Sequence, residues 1–183
     1  NSDLIVLLND EGKAKVASAK DIVAPILNEG KIVVLPDLSG VGEYSDVPEQ
    51  NDPKYWNKEY RNTMISLHIG KTITGQRVTD LVSVIQYFTS NLENKDQSIQ
   101  IHANGIYGPI ALYTGLFEQS VKSIQITNSI DSYYRLLENP LMKDAYSYVV
   151  PSVLKFFDIP DIVNWIGSDK DTFSDKVIKE TTK

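Results

Sequence analysis

The 183-residue chain has no cysteine, which excludes disulfides, thiolate metal ligands and a cysteine nucleophile. It has only two histidines, His68 and His102, and neither stands in an H-x-x-H or H-E-x-x-H spacing, so the sequence offers no metal site of that kind. No apolar run approaches the roughly 18–20 residues that cross a bilayer. Lys/Arg-rich runs are missing as well, and the net charge is −6, so an electrostatic footprint for nucleic acid is lacking. Asn1-Ser2-Asp3 leads straight into Leu4–Leu8 without the charged start and small-residue cleavage site of a signal peptide. A chain that opens on a buried-looking strand reads as a fragment or mature piece of a longer protein, secreted or periplasmic among the options, and its localisation stays open.

What is present is an ordinary globular composition, 42% hydrophobic and 23% charged, in a length that suits one domain with a good core. Four short apolar runs, Leu4–Leu8, Ile32–Leu35, Ile99–Ile101 and Val121–Thr127, alternate with segments of helical period. The first such segment runs from Lys13 to Asn28, with Pro25 expected to kink or end it and Gly30 to stop it. Ser39–Asn62 reads as a long lid-like loop with an aromatic cluster, and a helix is clearest from Arg77 to Phe88. Asn91–Gln97 reads as a polar loop, and a helix is expected through Ile110–Phe117. Ser147–Gly167 reads as helix in pieces broken at Pro151 and Pro160, before a polar tail at 168–183. Strands apolar on both faces, alternating with helices, predict an α/β domain of three layers with a mostly parallel sheet and right-handed crossovers.

The stretch Ser98-Ile99-Gln100-Ile101-His102-Ala103-Asn104-Gly105-Ile106-Tyr107-Gly108 reads as a buried strand, a sharp turn and a helix start. Together with Asp37-Leu38-Ser39-Gly40-Val41-Gly42-Glu43, a D-x-x-G-x-G turn, and the helix opening at Gly70–Asp80, it resembles the α/β-hydrolase superfamily. Within it, the chain is most similar to acetyl-xylan-esterase-like proteins of gut bacteria, to which the segment Val150–Asp161 is also similar. The resemblance covers roughly residues 4–165. It implies an α/β-hydrolase-like sheet, truncated at one or both ends, with a nucleophile elbow of pattern G-x-S-x-G. At the nucleophile position this chain has Gly105, and Tyr107 stands where a small residue is expected. The acid and base that follow later strands in the family have no counterpart by strand count. What the resemblance leaves is an oxyanion-hole scaffold at Asp10, Glu11 and Ile106. A residue at the elbow's centre is held at positive φ, which costs a non-glycine residue on the order of 1–3 kcal/mol. Glycine there is nearly free of that strain.

The remaining candidates each carry two readings. His102, near the end of a central strand, is either a general base or a partly buried histidine bonded to backbone. Ser129, Asp131 and Ser132 follow the fourth strand and could be drawn with His102 as a displaced triad, or explained by turn chemistry. Tyr55, Trp56 and Tyr60 could platform a sugar ring or pack a lid onto the sheet. His68 reads as structural, and Arg77 with Asp80 as a surface ion pair. Gly70-Lys71-Thr72 lacks the first glycine of a P-loop and Gly40-Val41-Gly42 the third of a dinucleotide fingerprint, so no cofactor is expected. The expected function is a degenerate, non-catalytic esterase-like module with a carbohydrate or ester ligand. The alternatives are a fragment of a carboxylic ester hydrolase and a flavodoxin-like small-ligand binder. An open sheet edge predicts a homodimer or association with the rest of a longer chain, and neither nucleic acid nor membrane is an expected partner.

Overall fold

The computed structural model describes residues 3–45, 58–91, 98–142 and 144–169. Four strands form one parallel sheet in the order β2-β1-β3-β4: β1 is Leu4–Leu8, β2 Ile32–Val34, β3 Ile99–Asn104 and β4 Val121–Thr127. Parallel neighbours need crossovers, and helices supply them. They are α1 (Lys13–Ser18), α2 (Lys20–Asn28), α3 (Lys58–His68), α4 (Ile73–Asn91) and α5 (Tyr107–Phe117), followed after β4 by α6 (Tyr134–Glu138) and α7 (Ile159–Asp169). The three-layer α/β expectation holds.

The two sides of the sheet differ in what they bury. Leu4, Val6 and Leu8 of β1 and Ile99, Ile101 and Ala103 of β3 point into the main core, which α4, α5 and α7 close with Leu81, Ile85, Ile110 and Ile162. Ile5 and Leu7 point the other way, into a small core with Val16 of α1 and with Val23 and Ile26 of α2. That second face is apolar only over β1 and β2. Opposite Ile5 and Leu7, β3 presents Gln100 and His102, and β4 continues the row with Ser123, Gln125 and Thr127. The expectation of strands apolar on both faces therefore fails for β3 and β4, which carry polar residues along that face.

Several boundaries shift for local reasons. The expected Lys13–Asn28 helix is two helices that break at Ala19, and Pro25 lies inside the second. The predicted lid-like loop at 39–62 includes a 3-10 turn at Gly42–Tyr44, and α3 begins at Lys58; residues 46–57 lie outside the described set. Helix α4 starts at Ile73 and runs to Asn91, longer at both ends than Arg77–Phe88. Helix α5 begins at Tyr107, so Pro109 occupies its first turn, where a missing N–H costs nothing. Pro160 likewise opens α7 instead of breaking it. Most of the polar stretches at 91–97 and 168–183 lies outside the described residues.

The D-x-x-G-x-G turn has a definite task. Asp37, its side chain almost fully buried, accepts the backbone N–H of Lys13 on Oδ1 at 2.7 Å and that of Glu43 on Oδ2 at 3.0 Å. One carboxylate thus ties the loop after β1 to the turn after β2. Gly42 stands at φ 56° against it, and a Cβ there would overlap the carboxylate. Gly42→Ala combines left-handed strain with that overlap, and we expect it to cost about 2–5 kcal/mol in urea unfolding. A loss under about 1 kcal/mol would contradict this account of the turn.

Candidate functional site

The C-terminal ends of the strands, where parallel sheets place their ligands, carry the candidate site. Strand β3 ends at Asn104, Gly105 turns at φ 59°, and α5 starts two residues later. A Cβ on Gly105 would meet nothing within 4 Å. The turn is therefore an elbow whose central residue faces open space and carries no side chain. Gly108 in the first turn of α5 does the packing expected of a small residue, because a Cβ there would overlap the Ser129 hydroxyl. Tyr107, at the position expected to be small, is accommodated by turning into the core, where it is 1% exposed and lies under the Arg77 guanidinium at 6.0 Å from the ring centroid.

The residues expected to supply backbone donors, Asp10, Glu11 and Ile106, differ in how their N–H groups are used. Leu8 and Ala103 are paired near the ends of β1 and β3, so the turns that follow, carrying Asp10 and Gly105, leave the same end of the sheet. The N–H of Glu11 is consumed by Asn9 Oδ1 at 2.9 Å. Those of Asp10 and Ile106 have no acceptor among the described residues. Two amide donors thus stand at the strand ends beside the start of an 11-residue helix, whose dipole favours negative charge there.

The displaced triad is not assembled. His102 faces the side of Ile5 and Leu7, whereas Ser129 packs against α5 on the opposite side of the sheet. Burial, with the positive charge of Lys31, lowers the His102 pKa. The Ser129 hydroxyl is buried beside Tyr148, whose phenol is pushed up to about 12, mostly by burial. Asp131 takes two hydrogen bonds from Arg135, at 2.6 and 3.0 Å. Ser132 donates to Asp158, whose other oxygen accepts the N–H groups of Tyr133 and Ile159 at 2.6 and 2.7 Å. Asp158 so caps α7, and Ser132 serves that cap. His68 is exposed at the end of α3. Tyr60 lies on α3, with its ring edge-to-face against Tyr146 at 4.7 Å, while Tyr55 and Trp56 fall outside the described residues.

The expected surface pair of Arg77 with Asp80 is replaced by a buried one. Arg77 is 0% exposed and donates to both Glu59 oxygens, at 2.9 and 2.8 Å, and to the carbonyl of Ser39 at 3.0 Å. Asp80 instead receives the N–H and the hydroxyl of Ser39, at 2.8 and 2.6 Å. Glu59 also accepts from Ser147 at 2.5 Å, and Thr74 donates to the Ser147 carbonyl at 3.1 Å. Burial works against the Glu59 charge, but the hydrogen bonds and charge of Arg77 outweigh it and lower its pKa below the ordinary 4.5. The sequence carried one signal of this network. Arg77 shares a helical stripe with Leu81 and Ile85, at intervals of four, and a charge on such a stripe calls for a partner.

No family model and no curated protein matches the chain. Its structure is similar to a crystal structure of a putative acetyl xylan esterase from Bacteroides fragilis, with a TM-score of 0.71 at 16% identity. The match covers 90% of this chain and 49% of that one, so the chain spans about half the length of that structure. The likeness establishes an esterase-like fold.

Because Glu59 has a lowered pKa, its contribution to stability is present above the ordinary carboxylate value and is lost as pH falls through the folded value. Glu59→Ala leaves the Arg77 guanidinium buried without its carboxylate, and we expect a loss of about 3–5 kcal/mol at pH 7. The difference from wild type should shrink as acid neutralises the wild-type carboxylate too. Urea unfolding at pH 7 and pH 3 checks this; an equal deficit at both would show that packing, not charge, carries the effect.

Proposed function

We propose that this chain is an esterase-like α/β domain without a nucleophile at its elbow, acting as a binding or structural module. One observation carries the reading: Gly105 occupies the central elbow position at φ 59°, with open space where a serine side chain would project. Acyl transfer through a covalent intermediate needs a nucleophile with a base in hydrogen-bond reach. Neither histidine meets that need, since His102 lies across the sheet and His68 is exposed at the end of α3. The free amides of Asp10 and Ile106 still suit a ligand oxygen bearing partial negative charge, such as the carbonyl of an ester.

The half-length match supports a second reading, a portion of a longer carboxylic ester hydrolase whose acid and base lie elsewhere. That reading still has to find a nucleophile other than residue 105. In either case the outer edge of β4, which has no partner strand among the described residues, is where further strands or a second copy would pair.

The test is p-nitrophenyl acetate hydrolysis by the wild type beside Gly105→Ser. We expect the wild type to match the buffer background, and the variant to fold with a stability loss of about 1–3 kcal/mol from its positive φ. The variant should be equally slow, because no base reaches position 105. Wild-type turnover that a serine-directed phosphonate stops would overturn the reading. Turnover in the variant alone would show that a base is within reach.

A further inference from the structure

Asn104-Gly105, at the turn between β3 and α5, is the only Asn-Gly pair in the chain. Such a pair carries its own chemistry. The backbone nitrogen of the second residue can attack the side-chain amide carbon of the first, and glycine offers no Cβ to crowd that approach. The surroundings of Gly105 add no obstacle, since even a Cβ built there would meet nothing within 4 Å.

Both reacting groups are held by one residue of the neighbouring strand. Asn104 is paired with Thr127 in the register of β3 and β4. Asn104 Nδ2 donates to Thr127 Oγ1 at 2.9 Å, and the Gly105 N–H donates to the Thr127 carbonyl at 2.9 Å. The first bond fixes the carboxamide toward β4. The second engages the proton that the nitrogen must lose to become a nucleophile. Attack therefore requires both bonds to open. Thr127 is exposed at the end of β4, a strand that pairs only with β3 among the described residues. The end of an edge strand is where local opening costs least.

We propose that Asn104-Gly105 is a latent self-modification site, held closed by Thr127, at which Asn104 converts to aspartate and isoaspartate. Opening frees the Gly105 nitrogen, which gives its proton to solvent base and bonds to Asn104 Cγ. The Cγ–Nδ2 bond breaks, Nδ2 takes up a proton and leaves as ammonia, and a cyclic imide closes. Water then adds to either imide carbonyl. Cleavage between Cγ and the Gly105 nitrogen returns an ordinary aspartate. Cleavage between that nitrogen and the Asn104 main-chain carbonyl carbon leaves isoaspartate. Both products place a carboxylate at the strand end, and isoaspartate also adds a carbon to the main chain between β3 and α5. The turn is thus altered without an enzyme, and the reaction does not depend on whether the elbow is catalytic.

Tryptic mapping tests it, because the peptide 96–122 contains Asn104 as its only asparagine. The full chain is held at mildly alkaline pH, native or unfolded in urea, and conversion of amide to acid in that peptide is followed by mass, with the two acid isomers resolved. We expect the native wild type to convert slower than the unfolded chain by about thirtyfold or more, the combined worth of two hydrogen bonds. Thr127→Val removes the Oγ1 acceptor at an exposed position and should speed native conversion about fivefold, the worth of one such bond. Thr127→Ser keeps the hydroxyl and should convert like the wild type. Unfolded in urea, all three chains should convert alike, which separates the hold from the chemistry. Equal rates in native and unfolded wild type would overturn the proposal, as would an unfolded chain that does not convert at Asn104. So would native Thr127→Val and Thr127→Ser that behave alike, or a Thr127→Val acceleration fully accounted for by lost global stability in urea unfolding.

Discussion

Burying a guanidinium with no exposed surface demands acceptors that are held in place, and Arg77 finds them on segments remote in sequence. Glu59 comes from α3 and the Ser39 carbonyl from the turn after β2, while Ser147 meets the same carboxylate from the chain beyond β4. Thr63 and Thr74 add bonds to the carbonyls of Tyr146 and Ser147, so two helices and one turn are locked into a single unit. The Tyr107 ring at the start of α5 lies against that guanidinium. The elbow is therefore braced from behind by a charged pair, and in front of it lies open space.

A second brace works on the other wall. Asp37 holds the loop after β1 against the turn after β2, and that loop carries the Asp10 amide. Two carboxylates thus hold the connections around the strand ends, Glu59 through Arg77 and Tyr107 of α5 and Asp37 through the loop after β1. A glycine at the turn after β3 suits this framework physically. Glycine removes the strain that a side chain at positive φ would store, while the bracing interactions continue to stabilise the domain whether or not chemistry occurs at its centre.

The layer architecture and the order of elements were legible in the sequence because they rest on apolar periodicity, which the core reproduces at Leu4–Leu8, Ile99, Ile101 and Val121. The turn at Gly105 was legible because a tight strand-to-helix connection needs few residues and a glycine suits positive φ. What could not be read was pairing at a distance. Arg77 meets Glu59, 18 residues away, in a segment whose helical character was hidden by its polar opening Lys58-Glu59-Tyr60-Arg61-Asn62. The sidedness of His102 was equally hidden, since strand register decides which face it takes. The polar row on β3 and β4 was visible as residues, yet only the register shows that they line one face together.

The most direct test of the central claim, an elbow preserved in shape but without a nucleophile, is intact-mass analysis of the wild-type chain after exposure to a fluorophosphonate. The account predicts an unmodified mass, because the Gly105 position has nothing to phosphonylate and the Ser129 hydroxyl is buried. A single stoichiometric adduct mapping to any serine would contradict it and would place an active nucleophile elsewhere in the chain.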